Sequence, residues 1–260
     1  MFDIDACAIA LDVTTPESLC TIAGTWSINE YIRRDPVLDG TIAMNSLYAI
    51  PGYYLIEECC ATSCGNLEWY LRNLMPRREG GGSLYELCNR EVASVTPEET
   101  DLYFLLFLYG SNAHPLGKAA FVGMTEYHRE PHMLRAVYEG VAYSHRTHID
   151  RLLKSRPRPS EVRMAGGAVN SQVWVQMFAD ILSLPVEFFR VREPGALGSA
   201  IAASVAGGVY KDYPEATRHM VHSAGRVEPA PALIPVYQQK YEKYQAVRDA
   251  LDTVWSRFTV

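Results

Sequence analysis

No cysteine follows Cys88, and the six present (Cys7, Cys20, Cys59, Cys60, Cys64 and Cys88) fall in the first third of 260 residues. A chain of this length buries enough apolar surface to fold without cross-links, so reduced thiols in a reducing compartment are expected. Also missing is any apolar run of the roughly 18 residues that a membrane helix needs. The opening MFDIDACAIAL lacks the cationic segment of a secretory signal. A cytoplasmic protein with no membrane partner is therefore expected. Positive charge is scarce as well: 24 Lys and Arg against 30 Asp and Glu leave a net charge of −6. That balance provides no broad basic surface for a phosphate backbone, so nucleic acid is not an expected partner.

Familiar catalytic signatures are absent too. The nearest approach to a Walker A loop, at Gly117-Lys118, has Asn112 at the required glycine position and Ala119 at that of Ser or Thr. No GxGxxG, GxSxG or HExxH occurs. The pairs His128/His132 and His145/His148 have spacings that a metal could use, but no matching Cys or carboxylate set accompanies them. Cys59-Cys60-Cys64 lacks the second half of a zinc site. No structural metal is expected.

What is present is an ordinary globular composition, 48% hydrophobic and 21% charged, which excludes disorder and coiled coil. From Leu19 to about Cys60, the segments CTIAGTWS, INEYI, TIAMNSLYAI and GYYLIEEC read as antiparallel strands, with turns at Pro36, Asp39-Gly40 and Pro51-Gly52. Ser63–Met75 and Ser83–Val95 carry apolar residues at helical spacing. Beyond Pro97 the pattern alternates. Leu102–Gly110 reads as a buried strand, Met133–Lys154 as a helix, Glu161–Ala165 as a strand, Ser171–Ser183 as a helix, Val186–Val191 as a strand and Ala196–Ala206 as a helix. A last amphipathic helix spans Pro235–Phe258. Antiparallel strands followed by such alternation predict one α/β domain with a mixed sheet flanked by helices.

Three glycine turns stand out: Ala23-Gly24-Thr25, Tyr109-Gly110-Ser111, and Gly166-Gly167 ahead of a helix opened by Asn170 or Ser171. Each lets backbone approach a flat or anionic ligand, and each alone is equally a plain turn or helix cap. Together at strand ends they point to one ligand-binding edge. Asp3 and Asp5 are two carboxylates at the start, solvated or capping unless their surroundings promote one to a base.

These residues converge on a family. GGAVNSQVWVQMFADILSLPV (Gly166–Val186) and EPGALGSAIAASVAGGVY (Glu193–Tyr210), with AGTWS, FLYGSN and HMLRAVYEGVAYSHRTH, resemble the C-terminal half of the FGGY carbohydrate kinases from Phe2 to about Tyr244. TSCGNLEWY (Thr62–Tyr70) and FLYGSN are most similar to the branch acting on L-xylulose and 3-keto-L-gulonate. The resemblance implies a ribonuclease H-like, actin-like ATPase fold, with ATP, Mg²⁺ and a sugar as partners. It places the catalytic base on Asp3 rather than Asp5, phosphate contacts on Gly24, Thr25 and Gly110, and the adenosine turn on Gly166, Gly167 and Ser171. Family members carry about as many residues again ahead of this segment. Residues 1–260 are thus expected to be the nucleotide-binding domain, without the sugar-binding one and inactive alone. The face so exposed is expected to be apolar and to favour a homo-oligomer. The competing expectation is a non-catalytic domain of the same fold, acting in dimerisation or regulation.

Overall fold

The computed structural model describes residues 1–42, 44–75, 83–111 and 113–258. Ala43, inside the expected third strand, and Asn112, which closes FLYGSN, lie outside the described residues. The chain opens with helix α1 (Asp3–Ala10) and continues through strands β1 (Cys20–Ala23), β2 (Ser27–Arg33), β3 (Met44–Leu47) and β4 (Tyr54–Cys60). Helices α2 (Gly65–Asn73) and α3 (Leu84–Ala93) follow, then strands β5 (Tyr103–Leu105) and β6 (Ala120–Val122), and the long helix α4 (Glu130–Leu152). The alternating part comprises β7 (Val162–Ala165), α5 (Gln172–Leu182), β8 (Val186–Phe188) and α6 (Pro194–Ala206). Helix α7 (Tyr213–Met220), strand β9 (Gly225–Val227) and helix α8 (Ile234–Asp252) complete it.

Among the described residues seven strands form one sheet in the order β3-β4-β2-β1-β7-β8-β9. Only the β1–β7 and β7–β8 pairs are parallel, so the sheet is mixed as expected. Side chains alternate between its faces, as strand geometry requires. Tyr31, Ile56 and Met164 join the core built with α4, α5 and α8, whereas Ile32, Leu55 and Ala165 pack with α1, α6 and α7. Helices thus cover both faces. Helix α4 is the central support: Val137, Val141 and Tyr143 are buried, and Pro131 stands at its first turn, where a missing N–H costs nothing.

Three expectations need correction. The run LYFLLFLYG gives only the short β5, which pairs with β6 outside the main sheet. Its apolar residues are buried on α4, with Phe104 and Phe121 rings 4.6 Å apart, and an apolar run reads the same wherever it is buried. Helix α7 and strand β9 were not anticipated. Asp212 caps α7 by accepting the Glu215 N–H at 2.9 Å, and β9 has three residues, too few for alternation to show. The closing helix ends at Asp252 and gives way to a short 3-10 turn at Trp255–Arg257, short of Phe258.

Candidate functional site

Strands β1 and β7 run parallel side by side, so their C-terminal ends open on the same sheet edge, where ligands of α/β sheets collect. After Ala23, β1 turns through Gly24 and Thr25 into β2, and the Gly24 N–H donates to Trp26 O at 3.2 Å. After Ala165, β7 turns through Gly166 at φ +99°. A Cβ on Gly166 would lie 2.4 Å from Ala23 O and 2.9 Å from Gly24 N, so the two turns touch backbone to backbone. Gly167 differs. A Cβ there would meet only Ala23 O, at 4.0 Å, and otherwise open space.

That space belongs to two hollows, both bordered by Gly167 and Asn170. One, of about 500 Å³, is walled by Cys64, Leu67, Tyr138, Ser171 and Trp174, with Asn89 on its side. The other, of about 310 Å³, is bordered by Gly166, Arg190, Arg192 and Pro194. In the larger one Tyr138 stacks on Trp174 with centroids 4.1 Å apart and planes 25° apart, and Trp174 Nε1–H donates to Tyr138 O at 3.0 Å. Ser171 caps α5: its hydroxyl accepts the Trp174 N–H at 3.2 Å and donates to Asn89 Oδ1 at 2.7 Å. The result is a flat apolar wall with a polar rim, suited to an aromatic ring.

Behind the Gly24 turn stands a polar network, buried except at the partly exposed Cys64. Cys64 N–H donates to Gly24 O at 2.9 Å and Cys64 Sγ–H to Ala23 O at 3.1 Å. Burial pushes this thiol up to about 12, so it stays protonated. One step back, His145 Nδ1 lies 2.8 Å from Thr21 Oγ1, 3.2 Å from Ser27 Oγ and 2.9 Å from Asn29 Oδ1, while Nε2 lies 3.0 Å from Ser63 Oγ. Burial, with nearby His148, pushes His145 down to about 3, so the ring is neutral and serves to clamp the strands that carry the turn.

Of the remaining sequence candidates, Asp3, Asp5 and Thr25 fall near this edge and Gly110 does not. Asp3 is exposed at the first turn of α1, with Oδ1 accepting the Ile4 N–H at 3.0 Å. Its carbonyl lies 3.9 Å from where a Gly195 Cβ would stand, next to Pro194 at the smaller hollow. Asp5 points inward: it is buried, Oδ2 accepts the Phe2 N–H at 2.8 Å, and burial raises its pKa. Thr25 is exposed beside Gly24. Gly110 stands apart and lines neither hollow, although the ring of its neighbour Tyr109 approaches the Gly65 Cβ position to 3.3 Å, one residue from Cys64. The histidine pairs bond within the protein: His128 with Thr100 and Thr125, His132 with the Arg129 N–H, His145 as above and His148 with Glu58. Among the described residues no three of His, Cys, Asp and Glu come together in a way that could hold a metal ion. Sequence reasoning missed Asn89, Tyr138, Arg190 and Arg192. Only FRVREPG, with two cations ahead of a helix start, carried a readable signal.

A mixed sheet with helices on both faces is the architecture of the ribonuclease H-like, actin-like ATPase fold. Residues 19–207 match the model for the FGGY family of carbohydrate kinases, C-terminal domain, and the chain belongs to that family. It is 35% identical over 259 residues to the L-xylulose/3-keto-L-gulonate kinase of Escherichia coli (strain K12), a match covering 99% of this chain and 51% of that protein. A probable L-xylulose kinase of Pasteurella multocida is 33% identical over 96% of this chain and 50% of its own. The xylulose kinase structure from Rhodospirillum rubrum superposes with a TM-score of 0.87 at 24% identity, over 97% of this chain and 51% of that one. The chain thus spans about half the length of these relatives. No helix of the described residues is long and apolar enough to cross a membrane.

Proposed function

We propose that this chain supplies the nucleotide-holding half and the general base of a kinase that transfers the γ-phosphoryl group of ATP to a hydroxyl of a ketose such as L-xylulose. The observation that carries this reading is the contact of the two turns ending β1 and β7, with Gly167 open toward both hollows. Adenosine sits over Gly167 in the larger hollow, against the stacked Tyr138 and Trp174. The phosphates run along the Gly24–Thr25 and Gly166 turns at the ends of β1 and β7, where the Thr25 side chain is exposed. Gly110, expected from the family resemblance to contact phosphate, borders neither hollow and carries no part of this reading. Arg190 and Arg192 border the smaller hollow, and neither has a carboxylate partner among the described residues, so both are free to offset phosphate charge.

ATP with Mg²⁺ supplies the phosphoryl group and neutralises its charge. Mg²⁺ would be held mainly by the nucleotide phosphates. That leaves the exposed Asp3 carboxylate, with Oδ1 accepting the Ile4 N–H, to accept the proton of the attacking hydroxyl. Its exposure beside Gly195, against the inward turn of Asp5, supports the choice of Asp3. The names of the relatives support an L-xylulose-like substrate, and the half-length match supports a second domain that completes the sugar pocket. Six free thiols support a cytoplasmic location, and edge strand β3, exposing Met44 and Leu47, supports a homo-oligomer.

A calorimetric titration with Mg²⁺ and ADP tests this. Saturable binding with a Kd of about 1 mM or tighter, near −4 kcal/mol, is expected. Gly167→Asp should fold, since nothing crowds its Cβ, yet bind no nucleotide. Parent-like ADP affinity in a folded Gly167→Asp variant would refute the placement.

A further inference from the structure

Among the polar groups that line the larger hollow, with Glu68, Ser83 and Glu86 nearby, the carboxamide of Asn89 on α3 is the one bonded to both Ser171 and Tyr138. Its Oδ1 accepts two hydroxyl protons, from Ser171 at 2.7 Å and from Tyr138 at 3.1 Å. A carbonyl oxygen has two lone pairs, so both are engaged and the amide plane is fixed. The Nδ2 group keeps two N–H donors, which bond no acceptor among the described residues although Asn89 borders the hollow. Beside it, Ser171 Oγ has spent its proton on Asn89 and one lone pair on the Trp174 N–H, and Tyr138 has spent its only proton. What remains on both hydroxyls is acceptor capacity. This stretch of wall therefore offers a donor next to acceptors.

We propose that Asn89 reads the nucleobase: Nδ2–H donates to N1 or N7 of adenine while the neighbouring Ser171 or Tyr138 oxygen takes the one 6-amino proton on that edge. This rests on the nucleotide reading and deepens it to a choice among bases. Adenine presents an acceptor beside its 6-amino donor on either edge, through N1 or through N7. Guanine carries O6 where adenine carries the amino group, which sets an acceptor against the hydroxyl lone pairs. A buried polar pair facing the wrong group rejects a ligand more strongly than a lost apolar contact.

The test is a set of affinities for ADP, GDP, 1-deaza-ADP and 7-deaza-ADP, measured on the parent chain, Asn89→Leu and Asn89→Asp. Asn89→Asp keeps the acceptor for both hydroxyls and loses only the N–H donors, which covers the case in which Asn89→Leu fails to fold. The parent should bind ADP about tenfold or more tightly than GDP, and about tenfold more tightly than one of the two deaza analogues. In either variant the ADP-to-deaza ratio should fall to about one. A ratio cancels the phosphate repulsion that the new charge of Asn89→Asp adds to every nucleotide. Equal parent affinities for all four ligands, or parent-like ratios in the variants, would overturn the inference and leave the nucleotide reading standing. No ADP binding by the parent would overturn both.

Discussion

Gly166 and Gly167 are neighbours with opposite requirements. At Gly166 a methyl group would strike the Ala23 carbonyl and the Gly24 amide, and φ of +99° is strained for any side chain. Gly166→Ala should cost about 2 kcal/mol or more, read as a lower denaturation midpoint at unchanged m-value. Gly167→Ala should stay within about 1 kcal/mol of the parent, since no clash awaits it. Equal losses at both positions would mean that the turns do not meet as described. The pair was legible in the sequence as a glycine turn. Which glycine is closed off and which faces open space was not, because the deciding atom, Ala23 O, lies on another strand. His145 illustrates the same limit: spacing left a metal ligand and a core residue open, and only burial among Thr21, Ser27, Asn29 and Ser63 decides.

Secondary elements were readable where local pattern and burial agree, as in β1, β2, β4, α4 and α5, and unreadable where short segments pack by contact alone. Helix α1 packs closely on α6 at Gly198, where a Cβ would come to 1.8 Å from Ala6 O. Gly198→Ala should therefore lower stability by about 2 kcal/mol or more, measured by denaturant unfolding. A parent-like midpoint would contradict that helix crossing. Strand pairing has a cost of its own. The β2–β4 register sets Glu30 opposite Glu57, both buried, and neither Glu30 Oε2 nor Glu57 Oε1 has a hydrogen-bond partner among the described residues. Burial, then the charge of Glu57, raises the Glu30 pKa well above its ordinary value, and burial likewise raises Glu57. With the folded pKa above the unfolded one, the folded chain binds the extra proton. That stability is complete below the unfolded carboxylate value and is lost as pH rises toward and through the folded one. Glu30→Gln keeps the shape and removes the titration. Its Tm relative to the parent should climb between pH 5 and pH 8, and a constant gap would contradict the burial of an ionisable Glu30.

At the scale of the molecule, the sequence carried the family through GGAVNSQVW and EPGALGSA and the mixed α/β class through its order of strands and helices. Two of its three glycine turns, at Gly24 and Gly166, meet at one sheet edge, the edge proposed to hold the ligand. The two hollows, the Asn89 carboxamide and the Asp3–Gly195 approach arise only when α1, α3, α5 and α6 come together. The central claim is that a nucleotide lies across the ends of β1 and β7. Backbone amide resonances followed by NMR through a titration with Mg²⁺ and ADP test it most directly. The largest changes should fall on Gly24, Thr25, Cys64, Gly167 and Ser171, together with the Asn89 side-chain amide. Saturable changes confined to another surface, such as the hollow between α5 and α8 lined by Arg135 and Tyr237, would contradict it.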